Sequence, residues 1–101
     1  MPARQFRLPA EALKDSRGFA KRSSPLFMVR FKPNGLPNCR FAVVVSAKVD
    51  KTSAGRHLLK RRASEHLRQR PGNWDMIITV LSPAKILARK AFLQEMDRLL
   101  P

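Results

Sequence analysis

The chain has one cysteine, Cys39, so it cannot form an internal disulfide framework. With only two histidines beside it, a Cys/His metal cage is excluded as well. Cys39 reads as a small residue in the turn before a strand rather than as a catalytic thiol. Acidic residues are scarce, seven in 101, and no pair of them stands out as a two-metal centre. Asp50 falls in a basic turn and Asp75 at a strand start, so both read as structural. There is no glycine-rich phosphate loop, no nucleophile motif, no internal repeat and no low-complexity tract. No apolar run approaches the 18 residues of a membrane span. The opening "MPARQFRL" has no apolar core of a secretory signal. A reducing cytoplasm fits these absences. The length implies one domain.

What the chain has in excess is positive charge. The formal net charge is +14 at pH 7. In a domain of this size such a charge repels itself, which points to a polyanionic partner. Residues 1–71 hold 17 Lys/Arg against 4 Asp/Glu, and residues 72–101 hold 4 against 3. The binding surface therefore belongs to the first two thirds. A membrane surface is the other available polyanion, but no Trp- or Phe-rich amphipathic helix supports it.

Residues 1–8 read as a basic arm and 9–101 as the domain. Pro9 followed by "AEALKDSR" predicts a short first helix, stopped at Gly18. Phe19–Ser23 predicts a short strand, and Pro25 a bend. "LFMVRFK" (26–32) alternates, with Phe27, Val29 and Phe31 on one side and Met28, Arg30 and Lys32 on the other. "RFAVVVSAKV" (40–49) alternates too, with Phe41, Val43 and Val45 opposite Arg40, Ala42, Val44, Ser46 and Lys48. Asn34-Gly35 between the two runs is a strong hairpin signal. The expectation is an antiparallel hairpin with one apolar face and one open face. "WDMIITVL" (74–81) predicts a further strand. Ser82-Pro83 predicts the start of a last helix over about 84–99, with Ala88, Phe92, Met96 and Leu99 as its core stripe.

The most charged segment is "TSAGRHLLKRRASEHLRQR" (52–70), which carries six Lys/Arg and a single acid, Glu65. On a helical wheel Leu59, Ala63 and Leu67 fall in one arc, and His57, Arg61, Ser64 and Arg68 on the opposite side. Arg56 and Lys60 flank the apolar arc. A solvated helix normally mixes signs at i, i+4, which this one does not. Phosphates on the outer face would relieve the repulsion. Gly55 is out of place in a first helical turn. Either an RNA backbone approaches it closely, or the helix starts later.

"VSAKVDKTSAGRHLLKRRASEHLR" (45–68) resembles the signature of the bacterial ribonuclease P protein subunit, roughly V-S-K-K-V-x-K-x-A-V-x-R-N-R-x-K-R-x-x-R-E. Val45-Ser46, Lys48-Val49, Lys51, Arg56, Lys60-Arg61 and Glu65 match without a gap. His57 and Leu58 replace the Asn and second Arg of the Arg-Asn-Arg core, Ala47 replaces a Lys, and Ser64 replaces an Arg. The resemblance implies an α+β single-domain sandwich in the order α-β-β-β-α-β-α, with a four-stranded sheet and a left-handed crossover. It implies binding of a catalytic RNA through Lys48, Lys51, Arg56, His57, Lys60, Arg61, Ser64 and Arg68. It also implies binding of the 5′ leader of precursor tRNA on the sheet, by Phe19, Met28, Arg30, Lys32, Arg40 and Val44. Phe6 or Phe19 would stand in for the family's first-helix aromatics. The implied chemistry is Mg²⁺-dependent hydrolysis carried by the RNA, with the metal bound mainly by the RNA and no catalytic or metal-binding residue in the protein. The implied assembly is one protein to one RNA, with neither membrane nor DNA as partner.

Three rival readings share some of these features. A ribosomal or other structural RNA-binding protein would have the same charge and basic helix. A DNA-binding recognition helix would need a preceding helix at helix-turn-helix spacing, which is missing. A protein-only nuclease would need an acid cluster.

Overall fold

The structure, a computed structural model, describes residues 7–8 and 18–101. Strands β1 (Ala20–Ser23), β2 (Phe27–Pro33) and β3 (Arg40–Val45) are followed by helix α1 (Ser53–Leu67). Strand β4 (Trp74–Val80), a 3₁₀ turn (Ser82–Ile86) and helix α2 (Arg89–Asp97) complete the chain. The sheet order is β1-β2-β4-β3.

This corrects the expected α-β-β-β-α-β-α order. The described residues run β-β-β-α-β-3₁₀-α, with two α-helices and a mixed sheet. The first helix expected after Pro9 lies on 9–17, outside the described residues. The last helix begins at Arg89 because Ser82-Pro83 starts a separate 3₁₀ turn, in which Pro83 takes an early position and Leu81 is the cap. Ser82 does not cap; its Oγ donates to the Lys48 carbonyl at 3.3 Å. Ala88 precedes α2 and is exposed, so the stripe buried in the helix reduces to Phe92 and Met96. β3 ends at Val45, and Ser46 to Val49 form a turn closed by Val49 N–H on the Ser46 carbonyl at 3.0 Å.

The expected hairpin is also overturned. β2 pairs antiparallel with β4, from Phe27 opposite Val80 to Pro33 opposite Trp74. β3 lies on the far side of β4, parallel to it, from Arg40 opposite Asp75 to Val45 opposite Val80. The reason lies in β4. Asp75, Met76, Ile77 and Ile78 are all at most 2% exposed, so β4 is buried on both faces, as a central strand must be. β2 and β3 alternate, as strands beside it can. Asn34-Gly35 still turns the chain, with Gly35 at φ 68°, where a glycine meets no side-chain penalty. Its loop, however, carries the chain over the end of β4. Asn34 N–H donates to the Asn73 carbonyl at 2.9 Å, and Asn34 Oδ1 accepts from Leu36 N–H at 2.8 Å.

The register aligns Phe27, Val29 and Phe31 with Met76, Ile78 and Val80, and these with Phe41, Val43 and Val45. Both helices pack on this apolar face. Leu59, Ala63 and Leu67 of α1 and Phe92 and Met96 of α2 are all at most 4% exposed and belong to one core with it. Phe92 meets Phe27 edge-on, ring centroids 5.0 Å apart. Leu59, Ala63 and Leu67 thus form the buried seam that the wheel placed there. At the other edge of the sheet Arg7 bridges to Phe41 of β3, and Leu8 N–H donates to the Phe41 carbonyl at 3.0 Å. The end of the expected basic arm therefore lines β3.

Candidate nucleic-acid interface

The basic helix starts in a small polar cage. Thr52 is the N-cap, its Oγ1 accepting from Gly55 N–H at 3.0 Å. Asp50 Oδ1 in turn accepts from Thr52 N–H at 2.9 Å and from Thr52 Oγ1 at 2.8 Å. These bonds, with Lys85 Nζ at 3.5 Å, hold the Asp50 carboxyl below the usual carboxylate range. A carboxyl depressed in this way stabilises the fold above its unfolded pKa, and that contribution is lost as the pH falls through the lower folded value. The cage gives Gly55 a reason of its own, and the expected later helix start does not apply. The helix begins at Ser53, and a Cβ on Gly55 would fall on the Asp50 carboxylate.

This gives an inverted expectation for Gly55→Ala. In an open helical turn the change would gain about 1 kcal/mol. Here it should lower the melting temperature, because Asp50 must leave Thr52. A rise in melting temperature, read by circular dichroism at neutral pH, would show that Asp50 does not hold this position.

α1 has three distinct faces. The buried one comprises Leu59, Ala63, Ser64 and Leu67. Ser64 belongs to it, which corrects the wheel placement opposite the leucines: the covered arc is wider than the apolar seam, and a small side chain at its edge is closed over. A second flank ties down α2 and the residues after it. Arg62 donates to the Leu87 carbonyl at 3.4 Å and lies 5.1 Å from the Phe92 ring. His66 Nε2 is 2.8 Å from Asp97 Oδ1, and Arg70 donates to the Pro101 carbonyl at 2.7 Å. The outer face carries His57, Leu58, Arg61 and Arg68, all exposed, with Lys60 half-buried beside them. Arg56 braces the entry loop, donating to the Asp50 and Lys51 carbonyls at 2.9 and 3.2 Å. Lys48 and Lys51 are exposed on that loop. Of the expected contacts on this element, then, all but Ser64 lie on the outer face, its flank or the entry loop.

The second cationic surface is the sheet face opposite the helices. Lys21 of β1 lies beside Arg30 of β2, and Ser23 beside Met28. Arg30 keeps a buried Nε with no hydrogen-bond partner among the described residues. Lys32 Nζ sits 4.8 Å from the centre of the Phe19 ring, bringing two expected leader residues together in a cation–π contact. Val44 is exposed at the β3 end, and Met28 is half-buried. The face is not open throughout, because Ile77 at its centre is 1% exposed. Lys21 belongs to this face but was not legible, since a strand of four residues shows no period until its partner is known.

Arg40 is engaged internally. Its Nε and one terminal nitrogen grip both oxygens of Asp75, at 2.9 and 2.7 Å, and Asn34 Nδ2 donates to the same carboxylate at 3.0 Å. The hydrogen bond to Asp75 raises the Arg40 guanidinium above its already high range. Asp50 and Asp75 thus stand on separate elements, each with its own partners. Among the described residues no group of three His, Cys, Asp or Glu could hold a metal ion.

The outer face of α1 and the cations of the sheet face turned away from the two helices lie on opposite sides of the β-sheet, so the described residues form a layer with cations on both surfaces. Comparisons with known proteins agree in direction. Residues 13–101 match the family model described as Ribonuclease P. The ribonuclease P protein component of Azoarcus sp. (strain BH72) is 34% identical over 77 residues, covering 72% of this chain and 63% of its own length. That of Synechococcus elongatus is 35% identical over 94 residues, covering 83% and 76%. Among solved structures, the Staphylococcus aureus RNase P protein superposes with a TM-score of 0.80 at 18% identity, over 93% of this chain and 91% of that one. The Thermotoga maritima RNase P protein gives 0.72 at 22% identity, over 94% and 98%. These two share the fold, and the family model and the curated relatives carry the assignment: the chain belongs to the ribonuclease P protein family.

Proposed function

We propose that this chain is the protein component of ribonuclease P, assisting an RNA-borne active site in the 5′ maturation of tRNA. The observation that carries this reading is the placement of two cationic surfaces on opposite faces of one sheet. Two RNAs repel each other, and a thin basic layer between them lowers that cost. The outer face of α1, with His57, Lys60, Arg61 and Arg68, and the loop with Lys48, Lys51 and Arg56 take the catalytic RNA. Lys21, Arg30, Lys32 and Phe19 take the single-stranded leader of precursor tRNA, with cations for phosphates and apolar surface for bases. Arg40 contributes there only through what its pairing with Asp75 leaves exposed. Mg²⁺ is held by the RNA and supplies the hydrolytic chemistry. The protein's part is positioning, which reduces the entropy to be lost at the cleavage step. One protein to one RNA suffices for this arrangement.

The test is cleavage of a precursor tRNA by the native catalytic RNA at low Mg²⁺, with and without this chain. Addition of the protein should restore cutting at the mature 5′ end, and raising Mg²⁺ should partly replace it. Cleavage by the protein alone, abolished by Asp50→Ala or Asp75→Ala, would instead make it a nuclease. Tight RNA binding without any effect on cleavage would make it a structural RNA-binding protein.

A further inference from the structure

Between the second half of α1 and the start of α2 runs a groove of about 670 Å³, lined by Glu65, His66, Arg68, Gln69, Arg89 and Leu93. It adjoins the outer face of α1, with which it shares Arg68, but its α2 wall belongs to neither surface described so far. Its two walls are both basic. α1 brings Arg68, with Arg61 one ridge away, and α2 brings Arg89, followed by Lys90. Two cations in the first turn of a helix oppose its dipole, and α2 has no acid there to offset them.

The acid in this groove is Glu65, which sits between the walls. Its carboxylate oxygens are 3.9 Å from Arg61 Nε and 3.9 Å from Arg89. Those distances are too long for hydrogen bonds, and all three side chains are more than half exposed. Glu65 therefore neutralises the groove only loosely. His66, which also lines the groove, is already held by Asp97. An anion with spread charge and several acceptor oxygens would satisfy Arg61 and Arg89 at once, which the single Glu65 carboxylate at that distance does not.

We propose that this groove is a phosphate-binding site that takes RNA backbone, so that α2 joins α1 in RNA binding through Arg89. The inference rests on the RNA-binding reading above and extends it to a helix outside the basic segment. Charge complementarity selects phosphate, and the openness of the groove along the helix seam suits a chain rather than an enclosed small molecule.

The experiment has two arms. In the first, inorganic pyrophosphate is titrated into ¹⁵N-labelled protein. The amides of Arg68, Gln69 and Arg89 should shift and saturate, and the shifts should vanish in Arg89→Ala. In the second, affinity for the catalytic RNA is measured across a salt series. Arg89→Ala should flatten the salt slope by about one unit, whereas Arg98→Ala, on the same helix but outside the groove, should change it less. Glu65→Gln should tighten binding more than Glu95→Gln, which removes the same charge away from the groove. Groove amides that do not respond, or variants indistinguishable from their controls in a chain that binds RNA, would overturn the groove alone. Failure of the wild-type chain to bind RNA would overturn the proposed function with it.

Discussion

Phe92→Ala should lower the free energy of unfolding by about 3–5 kcal/mol. Phe92 is 0% exposed and is held from two sides. The edge-on contact with Phe27 fixes α2 against β2, and the Arg62 guanidinium lies over the Phe92 ring. Truncation removes the packing and the cation–π contact together and leaves a cavity where α1, α2 and the sheet meet. Urea denaturation followed by circular dichroism measures the loss. Phe92→Leu should recover much of it, because volume rather than aromaticity makes up most of the contribution. A midpoint that hardly moves in the alanine variant would show that α2 is not seated on the sheet as described.

The second large effect is expected at the Arg40–Asp75 pair. Asp75→Ala should cost about 3 kcal/mol, the lower end for removing one partner of a buried ion pair. The lower end applies because the Arg40 side chain keeps 27% of its surface in solvent while that of Asp75 keeps 3%. The loss also removes one of the two bonds of Asn34 Nδ2 and leaves it only the Asn38 carbonyl, so the loop between β2 and β3 should loosen with it. Arg40→Met together with Asp75→Leu should be less damaging than Asp75→Ala alone, since no charge is then left without its partner. A double variant as unstable as the sum of the singles would show that the two residues do not interact. A loss near zero for Asp75→Ala would show that Arg40 faces solvent and is available to RNA.

Much of this was legible in the sequence because it depends on local period. The leucine seam of α1, its outer cations, and the inward faces of β2 and β3 follow from spacing alone. The family followed from one ungapped block, 45–68. What spacing could not give was which strand neighbours which. The hairpin expectation rested on Asn34-Gly35, a local signal, while the signal that mattered was the unbroken apolar run in β4, which marks a strand covered on both sides. Nor does a wheel show how far coverage extends, so Ser64 was put on the wrong face. Charge counts do not distinguish a cation facing solvent from one holding a helix. Arg62, His66 and Arg70 look like their neighbours in sequence and yet fasten α2 and the residues beyond it. The reason for Gly55 was out of reach for the same cause: its constraint is a carboxylate five residues earlier that folds back over the helix start.

The position of β4 between β2 and β3 has a consequence for how the chain is made. Phe27 and Val80 are cross-strand neighbours, yet half the sequence separates them. β2 and β3 have no ladder with each other to form in the meantime. Sheets built from such distant pairings fold slowly, because the loop must close before any contact rewards it. On the ribosome, most of the positive charge therefore emerges ahead of the strand that completes its platform. The nascent chain is an adhesive polycation before it is a folded protein, and the delay ends only when Trp74–Val80 slots into the gap.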